Sequence, residues 1–141
     1  MGSIIRLFRA EPEAQGRKEC RRLEINQRGV VGDKFYDRMP DRSVLLTGTS
    51  AYELAERNGI DLEYGDLGEN ILCDMDIRTL RPGMRLAIGG AVLQVSRRCP
   101  ICQHLAIYDP RLPALIKELR GVYLQVLRPG TIDLEEKIAV L

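Results

Sequence analysis

Apolar residues fall mostly into short runs of four to nine positions, several alternating with polar ones and most bounded by glycine. That pattern predicts strands over residues 3–8, 22–25, 43–47, 71–73, 85–88, 91–96, 122–127 and 132–140. The Gly89-Gly90 pair between two such runs marks a two-residue hairpin. Pro129-Gly130 marks a type II turn between the last two runs, with the glycine supplying the positive φ that this turn requires. Gly29 and Gly32 bracket a further turn, and Gly68-Glu69-Asn70 another. Seven to nine short, glycine-punctuated strands predict a mainly β fold, a closed or nearly closed β-barrel. Two segments have helical character. Residues 50–58 open with a capping box, Ser50 and Glu53, and stop at Gly59. Residues 112–119 follow Pro110, carry Pro113 in the first turn and end near Gly121. The expectation is one mainly β domain over residues 1–141, a barrel with two short α-helices.

Length agrees with this: 141 residues suit one domain with a core that folds without disulfides or metal. Twenty-one basic against 20 acidic residues leave a net charge of +1, which argues against a nucleic-acid binder. No apolar run approaches the roughly 20 residues that a bilayer crossing needs, and no signal-peptide h-region opens the chain. The cytosol is the expected compartment. Seventeen of the basic residues are Arg and four are Lys, a bias toward the side chain that forks onto phosphate and carboxylate oxygens.

Three groups of residues can carry chemistry. Cys99-Pro100-Ile101-Cys102-Gln103-His104 admits a dithiol redox pair, a zinc site or a reactive thiolate. The zinc reading needs Cys73 or Cys20 as an added ligand to Cys99, Cys102 and His104, the single histidine. Arg97 and Arg98 would stabilise a thiolate nearby, and burial of both cysteines as small hydrophobes is the plainer alternative. In Gly65-Asp66-Leu67-Gly68-Glu69-Asn70, one carboxylate and one amide on a tight turn suit the donor and acceptor edges of a heterocycle. Gly32-Asp33-Lys34 with Arg42 offers cations beside a glycine turn, without either nucleotide-binding glycine signature.

The order of these pieces is more specific than any one of them. From Gly29-Val30-Val31-Gly32-Asp33-Lys34, through Gly65-Asp66-Leu67-Gly68-Glu69-Asn70-Ile71, Leu80-Arg81-Pro82-Gly83 and Leu86-Ala87-Ile88-Gly89, to the cysteine segment and Arg120-Gly121-Val122-Tyr123, the chain resembles the MOSC family. These domains are similar to the C-terminal part of molybdenum cofactor sulfurases. The resemblance implies a β-barrel with a pocket for the molybdenum cofactor, a phosphate-bearing pyranopterin with a dithiolene-held metal. Cys102, followed by two residues and Leu105, matches the spacing of the family's functional cysteine; it becomes the candidate molybdenum ligand or sulfur carrier, with Cys99 second. Lys34, Arg42, Arg97 and Arg98 become candidates for phosphate and metal-oxo charge, and Glu69 and Asn70 for the pterin. The activities implied are reduction of N-hydroxylated compounds or sulfur transfer, with a molybdoenzyme or cofactor-biosynthesis protein as partner. A cofactor carrier without turnover, or a small zinc protein using Cys99 and Cys102, are the alternatives. Phe35-Tyr36 stands where many relatives carry a histidine, and Asp133-Leu134-Glu135-Glu136 replaces a C-terminal Gly-Asp.

Overall fold

The computed structural model describes residues 2–12 and 16–141. Its strands are β1 (Gly2–Ala10), β2 (Arg17–Cys20), β3 (Arg22–Asn26), β4 (Gly29–Val30), β5 (Val44–Gly48), β6 (Ile71–Cys73), β7 (Arg85–Ile88), β8 (Ala91–Arg98), β9 (Val122–Arg128), β10 (Gly130–Asp133) and β11 (Lys137–Val140). Helices α1 (Thr49–Arg57) and α2 (Leu112–Leu115) complete the secondary structure that frames the site. Seven strands pair in the ring β1-β6-β5-β9-β8-β7-β11 and back to β1, a closed barrel as the alternation predicts. All pairs are antiparallel except β5 with β6, which run parallel across the crossover that carries α1. Strand β2 extends the barrel sheet beyond β1, and β10, β3 and β4 form a separate three-stranded sheet.

Inward side chains of the ring, among them Leu7, Val44, Leu46, Ile71, Leu86, Leu93, Leu124 and Ile138, fill the interior as one apolar cluster. A barrel of seven strands is narrow enough for side chains to fill, so the lumen is core and not a pore. A second cluster, around Ala51, Tyr52, Ala55, Leu67, Leu72, Leu105, Leu112 and Ile116, packs α1 and α2 on the outside of the wall. Leu45 and Tyr123 are register partners whose chain neighbours point inward, so these two face outward.

Several local expectations change. Helix α1 begins at Thr49 with Gly48 as its N-cap and no side-chain cap bond, so Ser50 lies inside the first turn and its buried hydroxyl is not a cap. The second helix is a single turn, Leu112–Leu115, continued by turns to residue 119. Pro129-Gly130 is not a type II turn, because Gly130 lacks a positive φ and β10 leaves β9 to pair with β3. Gly130 is required by proximity: a Cβ there would lie 2.8 Å from the Ala91 nitrogen and the Gly90 carbon. The run 132–140 is two strands, β10 and β11, separated by a turn closed by Glu136 N–H donating to the Asp133 carbonyl at 3.0 Å.

Candidate functional site

Two of the residues singled out by sequence, Arg42 and Asn70, meet on the outer face of the wall at β5 and β9. There the 31–43 loop and the start of β2 cover the strands and leave a cavity of about 290 Å³. Leu45 and Tyr123 form its floor, and Gly68, Asn70 and Asp33 its inner side. Arg17, Arg42 and Arg120 reach into it, with Phe35, Met39 and Arg38 at the loop side.

Asp33 and Asn70 build the frame. The Asp33 carboxylate accepts from Ala10 N–H at 2.7 Å, Phe35 N–H at 3.0 Å and the Asn70 amide at 3.3 Å. Asn70 accepts from Leu45 N–H at 3.1 Å and donates to the Phe8 carbonyl at 3.2 Å. Its side chain thus joins β1 to β5 just before β6 begins, and both amide hydrogens are committed to the fold. Asn70→Ala is expected to lower stability by roughly 2–4 kcal/mol, since it orphans buried Leu45 N–H and Phe8 C=O groups. Urea denaturation checks this.

The arginines are the opposite case. Arg120 is 8% exposed, yet its Nε and Nη1 have no hydrogen-bond partner; Arg17 Nη1 and Arg42 Nε are likewise buried and unbonded. Asp33 Oδ1 lies 3.7 Å from Arg17 Nη1, an ion pair beyond hydrogen-bond reach. Gly68, with φ of +82°, brings the backbone beneath both guanidinium groups: a Cβ there would lie 3.7 Å from Arg120 Nη2 and from Arg17 Nε. Burial lowers the pKa of Arg17, and the neighbouring Arg120 charge adds to the effect against the opposing pull of Asp33 and Glu69. Buried charged donors without acceptors are costly, so these nitrogens are poised for an oxyanion. Sequence reasoning missed Arg17 and Arg120. Arg17 opens a strand of three charged residues and a cysteine, without a periodic signal, whereas Arg120 sits in the quoted Arg120-Gly121-Val122-Tyr123 motif.

Tyr123 links the cavity to the cysteine segment. Its ring carries Arg42 and Arg97 at 5.6 and 5.9 Å, and its hydroxyl lies 3.5 Å from the Cys99 sulfur. A register shift at Ser96, between Val95 and Arg97, re-aims Arg97 toward the ring. Arg97 too has buried, unbonded nitrogens, Nε and Nη2. Burial and the Cys99 thiol push the Tyr123 phenol up to about 12.

The other expected site residues lie off the cavity wall. Cys102 is half-buried against the α1–α2 cluster. Lys34 is exposed, with its ammonium 5.8 Å from the Phe35 ring centre. Arg98 is exposed and donates to the Arg78 and Glu118 carbonyls. Glu69 is fully buried behind Gly68, where it accepts from the Tyr52 hydroxyl. Among the described residues no three His, Cys, Asp or Glu side chains group to hold a metal ion. Cys73 lies inside the barrel, its thiol pushed up to about 11 by burial. No helix among the described residues is long and apolar enough to cross a membrane.

The chain is thus a small β domain, a filled seven-stranded barrel with an arginine-lined cavity on its outer wall. Residues 27–139 match the MOSC domain model, and the chain belongs to the MOSC family, which is associated with molybdenum cofactor binding. Solved structures share the fold at low identity. The YuaD protein from Bacillus subtilis is 19% identical over 98% of this chain and 94% of its own, with a TM-score of 0.78. YiiM from Geobacillus stearothermophilus is 19% identical over 100% of this chain and 75% of its own, with a TM-score of 0.81. YiiM from Escherichia coli is 18% identical over 97% and 70%, with a TM-score of 0.69. No curated protein matches the chain in sequence.

Proposed function

We propose that this domain binds the molybdenum cofactor, holding its phosphate on Arg17, Arg42 and Arg120 and supplying a thiolate from the Cys99–Cys102 segment. The observation that carries the reading is the set of buried guanidinium nitrogens without acceptors around one cavity. Bidentate Arg–phosphate bonds are among the stronger polar contacts available to a protein. The donor set therefore fits the phosphate end of a pyranopterin, and a cysteine thiolate suits a thiophilic metal. When bound, the cofactor supplies a redox-active metal that also accepts sulfur. Arg97 and Tyr123 place positive charge and a hydroxyl beside Cys99; the sequence spacing favours Cys102 as the ligand or sulfur carrier. Lys34 and Arg98 add positive charge outside the cavity, and the protein partner would be a molybdoenzyme or a cofactor-biosynthesis protein.

The test is metal and pterin analysis of protein made in a host that synthesises the cofactor and purified without oxygen. The expected result is molybdenum and oxidised-pterin fluorescence each near one per chain. Cys102→Ser is expected to lose the molybdenum; unchanged molybdenum content would overturn the assignment of Cys102. Zinc in place of molybdenum and pterin would overturn the proposed function.

A further inference from the structure

Among the described residues, Glu69 is the one buried carboxylate that the cavity itself does not touch. Its neighbour Gly68 lies beneath the guanidinium groups of Arg17 and Arg120, and Glu69 turns the other way, into the wall. Its two oxygens lie 2.9 and 2.6 Å from the Tyr52 hydroxyl, which in turn accepts from the N–H groups of Gly65 at 3.0 Å and Leu67 at 3.2 Å. The charged and titratable groups that face it are Tyr52 from α1, Arg120 ahead of β9 and Arg17 from β2, the last paired on its far side with Asp33. The single histidine, His104, is exposed on the 103–107 turn and does not line the cavity.

Charge counting gives this position a consequence. Arg17 and Arg120 against Asp33 and an ionised Glu69 sum to zero, leaving Arg42 and the exposed Arg38 as the surplus cations of the cavity. With Glu69 protonated the arginine pair itself gains one unbalanced positive charge. Burial raises the Glu69 pKa, with the Tyr52 hydrogen bond and Arg120 pulling it back down.

We infer that Glu69 is a specificity-determining residue that never contacts the ligand: its protonation state sets how much negative charge the Arg17–Arg120 pair accepts. The inference deepens the proposed function and rests on the cavity being an oxyanion site. Protonated Glu69 favours a doubly charged oxyanion, and ionised Glu69 weakens its hold. A phosphate monoester and a free inorganic oxyanion share this chemistry.

Sulfate is the probe that separates Glu69 from the ligand's own titration, because it remains a dianion from about pH 5 to about pH 8, whereas phosphate takes up a proton in that range. Calorimetry of sulfate binding to the full chain, at constant ionic strength, is expected to show affinity rising on the order of tenfold from the basic to the acidic end. Glu69→Gln is expected to bind tightly and flatly across the range. Tyr52→Phe, by removing the donor that favours the ionised carboxylate, is expected to move the inflection to higher pH. A Glu69→Gln profile that tracks the wild type, or an unmoved inflection in Tyr52→Phe, overturns the inference and leaves the anion site standing. Wild-type protein that takes no sulfate at any pH overturns the anion-site reading beneath it.

Discussion

Gly121→Ala is expected to lower stability by roughly 2–6 kcal/mol, from strain at a positive φ together with overpacking of a closed site. Gly121 has φ of +134°, and a Cβ there would lie 2.6 Å from the Leu46 carbonyl oxygen and 2.8 Å from the Thr47 hydroxyl oxygen. Neither obstacle moves cheaply. Leu46 is in the ladder with β9 and β6, and the Thr47 hydroxyl donates to the Arg120 carbonyl at 3.0 Å. The Gly121 carbonyl also accepts from Cys99 N–H at 2.9 Å, which ties the cysteine segment to the start of β9. Guanidinium denaturation measures the loss. A change under 1 kcal/mol would mean that the close approach between residue 121 and β5 is not as described.

Arg120→Met is expected to do the reverse: remove binding and spare the fold. Two charge-assisted hydrogen bonds at about 1.5–3 kcal/mol each correspond to a loss of at least about 100-fold in affinity for a phosphate-bearing ligand. Stability is expected to hold or to rise by about 1 kcal/mol, because Arg120 is buried with Nε and Nη1 unbonded, and an apolar chain of similar length removes that desolvation cost. Opposite signs in melting temperature and ligand affinity are the signature of a residue kept for function. Titration with a phosphomonoester and a thermal melt of the same variant supply both readings. Equal loss of stability and binding would recast Arg120 as structural.

The barrel was legible because its strands obey the period of two. Leu46 and Leu124 point in, Leu45 and Tyr123 point out, and glycines stand at the ends of the runs. What stayed hidden lacks that period or keeps it where the chain breaks. Arg17–Cys20 is a strand of polar and charged residues plus one cysteine, paired to β1 through the backbone, so no hydrophobic pattern announces it. Ile132 and Ile138 are both core residues six apart, so alternation carries straight through the turn that divides β10 from β11. Ser50 and Glu53 match a capping box, but the helix starts one residue earlier, where Gly48 leaves β5 directly. The candidate site divides in the same way. Arg42, Arg97, Asn70 and the cysteine segment were visible as motifs, while the partnership of Arg17 with Arg120 over Gly68 brings together residues far apart in the chain, beyond the reach of local spacing. Asn70 and Glu69, chosen as ligand-facing polar groups, have their hydrogen bonds committed inside the wall.

The ring of strands is also a chain of unequal links. β8 and β9 are laced from Val92 with Arg128 to Arg98 with Val122, whereas β1 meets β11 only at Gly2 with Ile138 and Ser3 with Lys137 among the described residues. A closed hydrogen-bonded circle opens most readily at its shortest ladder, so native-state breathing is expected to begin at the β1–β11 seam, which amide hydrogen exchange would register. The arginine cavity lies across the wall from that seam, on β5 and β9. The barrel is therefore expected to loosen at the start of β1 while the Leu7–Ala10 end of that strand, paired with β2, keeps Arg17 beside the β5–β9 wall.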